Sequence, residues 1–460
     1  MKDFNSLYFI GAGGIGMAAL ERYFMARGKR IAGYDRTPSD LTAELQAEGA
    51  DITFDDDPAA IPECCSDPAT TLVVYTAAMP EDHRLLVHFR QQGFEVVKRA
   101  KLLGIITRAS KGLCFAGTHG KTTTSSMAAH VLQVSGIGSN AFLGGVLRNY
   151  NSNCLLSDNS PYSVIEADEF DRSFHQLNPY IAVITSTDPD HLDIYGNYEN
   201  YLEGFAHFTE LMRPDGALII HTGLDLVPRA PQGVKTYTYS RDEGDFHAAN
   251  IRCANGDITF DLVTPWETIC DITLGVPVEI NIENAVAALA ACRLIDVPAN
   301  AMKEGMESFM GPKRRFEFWL KEPGAAGKVM IDDYAHHPDE IKASINSVRR
   351  LYPDRKLTVI FQPHLYTRTR DLADGFAQAL SLADELLLLP IYPARELPIA
   401  GVTSKIILDK VTCNKKQIYT KENLINSIHL LNFEVLLTVG AGDIANLLPD
   451  ICCEIKKQQR

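Results

Sequence analysis

Short apolar runs punctuate the chain at fairly even intervals, each followed by a polar or glycine-bearing turn and then by a stretch whose apolar residues recur at helical spacing. In the first hundred or so residues the runs at 7–10, 30–34, 71–75 and 95–98 read as strands, and 17–25 and 84–92 as helices. Strands alternating with helices predict a parallel α/β domain reaching about residue 108, with the run RASKG at 108–112 as a linker. The pattern then restarts. A buried strand at 113–116 precedes a helix at 122–134, and further strands fall at 162–165 and 181–185. Between about 215 and 275 β-formers and turns dominate (ALIIHT, KTYTYS, ITFDLVT), which predicts an antiparallel section, and 281–295 is an amphipathic helix. After the basic stretch GPKRRFEFW at 311–319 the alternation begins a third time: strands at 329–332, 357–361, 385–390 and 435–439, helices at 338–351, 370–382 and 423–431.

Length agrees with that threefold pattern, since 460 residues suggest about three domains of roughly 150 residues each. A net charge of −14 supplies no positive field for a nucleic-acid backbone, so an anionic ligand has to be held locally. The ten cysteines include two adjacent pairs, Cys64-Cys65 and Cys452-Cys453, but no C-x-x-C. They predict neither a zinc site nor a disulfide framework, but reduced thiols in a cytosolic protein. The amino terminus lacks the features of a signal peptide, and no apolar run reaches the roughly 18 residues of a membrane span.

The chemistry concentrates in LCFAGTHGKTTTSSM, residues 113–127. Here a strand passes through Gly117-Thr118-His119-Gly120 into a helix opening with Lys121-Thr122-Thr123. Free amides at a helix start, two glycines that admit close approach and a lysine make a phosphate cradle, with Thr122 placed to hold magnesium. Only two residues separate the glycines, where the general nucleotide loop has four. The next strand ends at Glu166-Ala167-Asp168-Glu169, and the one after it runs into Asp188, Asp190, His191 and Asp193. Carboxylates at strand ends beside a phosphate loop suit divalent ions. Glu166 is the first choice, Glu169 the second, and His191 among acids suits a second ion.

A separate glycine turn opens the chain: Gly11, Ala12, Gly13, Gly14, Ile15 and Gly16 in G-x-G-x-x-G spacing, with Asp35 closing the next strand. The arrangement receives a pyrophosphate, with the acid at the distance of a ribose contact. Asn281 and Asn284 share a helix face that could read an adenine edge, or Asn281 could cap that helix. Arg314 and Arg315 either form a solvated connector or close on phosphate. In the third domain DDYAHHPDE, QPHLYTRTRD, PIYPARE and GAGD all follow strands, so His336, His337, His364, Arg368 and Arg370 gather at one sheet edge where they could bind a small carboxylate, any one histidine serving instead in the core or as a helix cap.

Across nearly the whole chain these segments resemble the Mur ligase family: GTHGKTTT, EADE, DPDHLD, KRRFE at 313–317, DDYAHHPDEI at 332–341 and QPHLYTRTRDL at 362–372 occur in family order. The resemblance implies an α/β fold of three domains: a Rossmann-like UDP-sugar domain at 1–108, a central P-loop ATPase-type domain at 109–312, and a Rossmann-like amino-acid domain at 313–460 that closes over the site. It implies ATP and Mg2+, and an amide ligase joining L-alanine to the lactyl carboxylate of UDP-N-acetylmuramate through an acyl phosphate. Lys121 would neutralise phosphates, and Thr122, Glu166 and His191 would hold metal. Asn284 and Arg315 would reach ATP, and Tyr334, His336, His337, His364 and Arg368 the amino acid. Two positions depart from the family pattern: Ile280 replaces the histidine of H-N-x-x-N, and Leu365 an arginine of H-R-Y-T-R-T. A tripeptide-attaching recycling ligase is the rival within the family. Outside it stand a nucleotide-binding regulator without turnover and, from the first glycine motif alone, a nicotinamide-dependent dehydrogenase. No nucleic-acid or membrane partner is expected, and the oligomeric state stays open between monomer and homodimer.

Overall fold

The computed structural model describes residues 4–457 apart from 77, 78, 255, 323, 325, 326 and 395. It packs as two compact units. One comprises Met1–Asn250, Phe260–Ile272 and Ile282–Phe309, and the other Ile251–Thr259, Thr273–Asn281 and Met310–Arg460.

The first unit opens with β1 (Ser6–Ile10), β2 (Arg30–Tyr34), β3 (Asp51–Thr53), β4 (Thr71–Tyr75) and β5 (Glu95–Lys98) in a sheet ordered β3-β2-β1-β4-β5, parallel throughout. The near-continuous apolar character of β1 and β4 follows from burial on both faces. A second sheet is ordered β12-β11-β10-β6-β9-β7-β8, from β6 (Lys111–Ala116), β7 (Asn140–Leu147), β8 (Ser152–Leu155), β9 (Tyr162–Glu166), β10 (Ile181–Ile184), β11 (Ala217–His221) and β12 (Lys235–Tyr239). RASKG is no linker. Arg108 and Ala109 finish the helix Arg99–Ala109, and Lys111 already begins β6. One apolar cluster runs from Phe4 and Leu7 through Leu102 and Phe142 to Leu218, so the first two sheets share a core and leave no reason for an extended spacer.

The antiparallel section expected at 215–275 is also corrected. β11 and β12 join the central sheet in parallel, and only β13 (His247–Ala254), β14 (Asp257–Val263) and β15 (Thr268–Thr273) form a small sheet of their own. Alternating β-formers look alike whichever direction the neighbour runs; the connections decide.

The second unit carries β16 (Glu317–Lys321), β17 (Val329–Asp333), β18 (Leu357–Phe361), β19 (Glu385–Leu388), β20 (Lys415–Ile418) and β21 (Val435–Val439), ordered β16-β17-β21-β18-β19-β20. Only edge strand β16 pairs antiparallel. The helix read at 370–382 is two, Tyr366–Asp371 and Ala373–Leu380. Among the described residues no helix is long and apolar enough to cross a membrane, and all ten cysteines are free thiols.

Candidate active site

Strands β9, β6 and β10 are adjacent and parallel, with Phe115 opposite Glu166 and Ala116 opposite Ile184. Three polar segments therefore leave the sheet at one level. From β6 the chain turns through Gly117 (φ 136°) and Gly120 (φ 83°) into the helix Lys121–Val134. A Cβ on Gly117 would lie 2.2 Å from Thr185 Oγ1, and one on Gly120 would lie 2.8 Å from Asn284 Oδ1, so neither position admits a side chain. The end of β10 clamps the loop. Thr118 Oγ1 donates to the Asp188 carbonyl (2.7 Å), Thr185 Oγ1 to the Ala116 carbonyl (3.1 Å), and the His119 amide to Ser186 Oγ (2.8 Å). Thr123 lies in the first helical turn.

Glu166, which ends β9, and Glu169, three residues on, divide the work. Thr122 Oγ1 donates to Glu166 Oε1 at 3.0 Å, while the Gly144 amide holds Glu166 Oε2 at 2.9 Å. Burial pushes the Glu166 carboxyl up, and these two donors pull against that. Glu169, second choice as a metal ligand, meets Lys121 instead: Nζ to Oε1 is 2.8 Å, and the Glu169 side chain is only 1% exposed. Its other oxygen is buried with no hydrogen-bond partner among the described residues. Burial again raises its carboxyl, and Lys121 lowers it. His191 adopts φ 51°, a strained value for a non-glycine residue, and stands 4.0 Å from Glu169 Oε1 and 3.7 Å from Asp190 Oδ2. Asp193 keeps its place in the chain, but its side chain lies outside the described ones.

Among the described residues no three His, Cys, Asp or Glu side chains form a metal cluster. The pair Thr122 and Glu166 still fits magnesium, which takes one or two protein ligands and completes its shell with phosphate oxygens and water.

The first glycine turn faces the same place. A cavity of about 290 Å³ is lined by Gly14, Ile15, Gly16, Thr76 and Arg99 on one side and Gly144, Glu166 and Asp168 on the other. The helix begins at Ile15, two residues earlier than the periodicity suggested, because Gly14 is its extended N-cap. Asp35 braces the turn, accepting from the Gly13 amide at 2.7 Å and the Thr37 amide at 3.2 Å. Gly11 takes φ 91°, and Ala12 is buried.

Sequence reasoning missed Arg99 and Gly144. Arg99 Nη1 lies 2.6 Å from where a Gly16 Cβ would be. It follows β5 directly, and the strand-end rule applied to the acids would have found it. Gly144 sits in an irregular stretch of β7, where a strand glycine marks close backbone approach. Glu283, also unremarked, receives a 2.6 Å hydrogen bond from His221 at the end of β11, which holds the imidazole up and the carboxyl down. Asn284 accepts from Thr124 Oγ1 at 3.2 Å, beside the loop. Ile280 is exposed.

In the second unit the ends of β17, β21, β18 and β19 are neighbours, so the four polar segments do meet at one edge. His336 and His364 rings lie 6.5 Å apart, Tyr334 is 5.2 Å from His336, and Arg368 Nη1 is buried with no hydrogen-bond partner among the described residues. Other expected members are diverted. His337 caps the helix Pro338–Leu351, accepting from the Asp339 amide, and Arg370 spends its charge on Asp371 at 2.7 Å. Arg314 binds buried Asp332 (3.4 Å) and the Gly440 and Gly442 carbonyls, a structural anchor rather than a phosphate clamp. Arg315 stacks over Tyr334 at 5.9 Å. Asn281 lies inside the first helical turn and donates to the Val276 carbonyl (3.1 Å). Leu365 takes φ 69°, so the departure from the family pattern falls at a strained position.

Comparison with known proteins matches three descriptions in order: "Mur ligase family, catalytic domain" to residues 6–111, "Mur ligase middle domain" to 115–292 and "Mur ligase, glutamate ligase domain" to 314–442. The chain belongs to the Mur ligase family. Among members of that family, the UDP-N-acetylmuramate–L-alanine ligase of Parabacteroides distasonis is 59% identical over 458 residues, covering 98% of each chain. The enzyme of the same name from Phocaeicola vulgatus is 57% identical over 459 residues, covering 100% of each. The solved UDP-N-acetylmuramate–alanine ligase of Thermotoga maritima superposes with TM-score 0.77 at 25% identity over 99% of both chains. A murein peptide ligase from Psychrobacter arcticus shares the Mur ligase fold at TM-score 0.62 and 22% identity, over 97% of this chain and 98% of its own.

Proposed function

We propose that the chain uses ATP to join L-alanine to the lactyl carboxylate of UDP-N-acetylmuramate, an early amide bond of peptidoglycan precursor synthesis. The observation that carries this reading is the cavity in which the first glycine turn and Arg99 face Glu166 and Asp168. A sugar nucleotide held there puts its acyl end beside the loop that holds the triphosphate. The full-length likeness to ligases named for this reaction supports the choice of substrates.

The lactyl carboxylate attacks the γ-phosphoryl group in line, forming an acyl phosphate and releasing ADP; the amine of L-alanine then displaces phosphate. No side-chain nucleophile is needed, so catalysis rests on positioning and charge neutralisation. Lys121, held by the Gly117 carbonyl and Glu169, neutralises phosphate charge, and the loop amides with Thr118, His119 and Thr123 cradle the anion. Thr122 and Glu166 hold a magnesium ion, which supplies charge neutralisation at the phosphates when bound. His191, kept beside Glu169, takes the second ion of the expected pair. Asn284 and Arg315 serve ATP. The turn from Gly11 to Gly16 receives the UDP pyrophosphate with Asp35 as its brace. Tyr334, His336, His364 and Arg368 hold the amino acid, with His337 shaping the segment.

We assign the UDP-sugar, ATP and amino-acid domains to 1–108, 109–312 and 313–460, and the cytoplasm as the location, in keeping with ten unpaired thiols.

Phosphate release from ATP with UDP-N-acetylmuramate and magnesium, run against L-alanine, glycine, L-serine and the tripeptide with product mass as readout, tests the reading. Turnover with L-alanine and a product heavier by one alanine residue is expected. Turnover with the tripeptide alone moves the chain to the recycling reaction, and silence with every amine refutes ligation.

A further inference from the structure

A second cavity opens at the other end of the central sheet. It measures about 410 Å³, within the roughly 300–1,000 Å³ of small-molecule sites. Ile181, Ala217 and Lys235, which begin β10, β11 and β12, line it. The phosphate loop follows the opposite, carboxyl end of parallel β6, so a strand of β10's length separates the two levels by about 13 Å.

Its lining carries aromatic rings and charges of both signs, the acids being Asp215 and Asp296. Tyr180, Tyr237 and Trp266 supply rings, and Lys235 and Arg293 supply charge. Trp266 belongs to the turn between β14 and β15 and remains 55% exposed, its ring 5.9 Å from Tyr237 and 5.6 Å from the Arg293 guanidinium. An indole left in water at the mouth of a cavity is apolar surface that a flat ligand would cover. Gly216 shapes the floor: a Cβ there would fall 2.1 Å from the Tyr180 carbonyl.

The charges sort into spent and free. Arg293 is paired with Glu267 at 2.8 Å and Asp296 at 3.4 Å, and nearby Arg213 with Asp215 at 3.0 Å. Lys235 has no hydrogen bond or ion pair to its side chain among the described residues. An incoming anion therefore meets one unpaired ammonium beside the exposed Trp266 ring and the half-buried Tyr237.

We propose that this cavity is a second binding site, separate from the ligase centre, for a planar aromatic ring carrying a phosphate or carboxylate. A nucleoside monophosphate is the simplest such ligand. Its base lies against Trp266 and Tyr237 and its anion on Lys235. The proposal does not depend on the ligase reading.

Trp266 reports on itself. The chain has two tryptophans, and Trp319, whose Nε1 has no hydrogen-bond partner among the described residues, can be replaced by Phe without losing such a bond there. In W319F, titration with uridine 5′-monophosphate should quench Trp266 fluorescence saturably, while uridine and inorganic phosphate bind at least about tenfold more weakly, as loss of one favourable contact requires. Lys235→Glu in that background should abolish the quench and leave ATP turnover unchanged. Absence of saturable quenching, or quenching that survives K235E, overturns the site. Uridine binding as tightly as the monophosphate refutes the anion contact, and phosphate displacing the monophosphate at equal concentration refutes the aromatic one.

Discussion

Replacing Lys121 by Met isolates the central ion pair. The Glu169 carboxylate is 1% exposed and Lys121 is 14% exposed, so water can solvate neither well. Removing one partner of a buried pair leaves an uncompensated charge and costs roughly 3–5 kcal/mol; the residual access to Lys121 places this site at the lower end, about 3 kcal/mol. For a domain of this size that is a fall in Tm of about 6–12 °C at neutral pH. The loss must depend on pH. Without the ammonium, burial raises the Glu169 carboxyl further above its unfolded value, so the folded variant takes up a proton as pH falls. The deficit is smallest below the unfolded carboxylate range and grows as pH rises through the folded value. The double variant K121M/E169Q removes both charges and should recover all but about 1 kcal/mol, the share belonging to the bond from Lys121 to the Gly117 carbonyl (2.6 Å). Differential scanning calorimetry of wild type, both single variants and the double between pH 5 and 8 gives the coupling. A deficit that is the same at both ends, or a double variant no more stable than K121M, refutes the reasoning.

Three further outcomes are expected. Gly144→Ala places a Cβ 2.4 Å from Glu166 Oε2, so it should displace that carboxylate and lower kcat by about 10²-fold; unchanged circular dichroism with full phosphate release would contradict the assigned role. Arg99→Ala should raise KM for the UDP-sugar by about tenfold, the loss of one charge-assisted contact, and leave KM for ATP unchanged, which steady-state kinetics with each substrate varied will show. Burial lifts Asp332 to about 6 against the pull of Thr438 and Arg314; a carboxyl raised that far favours the fold below the unfolded range and loses this contribution as pH climbs through 6. Asp332→Asn should therefore gain about 2 kcal/mol on wild type between pH 4 and pH 7, read from paired urea melts.

The sequence alone determined where strands end and which residues follow them. β2, β4, β18 and β21 fall where their apolar runs predict, because burial on both faces of a parallel sheet writes itself as a short continuous run. Gly117, Gly120 and Lys121 were legible for a similar reason: backbone conformation at a strand-to-helix turn restricts residue type locally. Tertiary structure decided who pairs with whom. EADE offers three acids within four residues, and only the register of β9 against β6 and β7 sends Glu166 to Thr122 and Gly144 while Glu169 goes to Lys121. The direction of β11 and β12, the shared core that removes the linker, and the placing of Arg99 over Gly16 depend likewise on contacts between residues far apart in the chain. Periodicity records how much of a residue is buried, not which neighbour buries it.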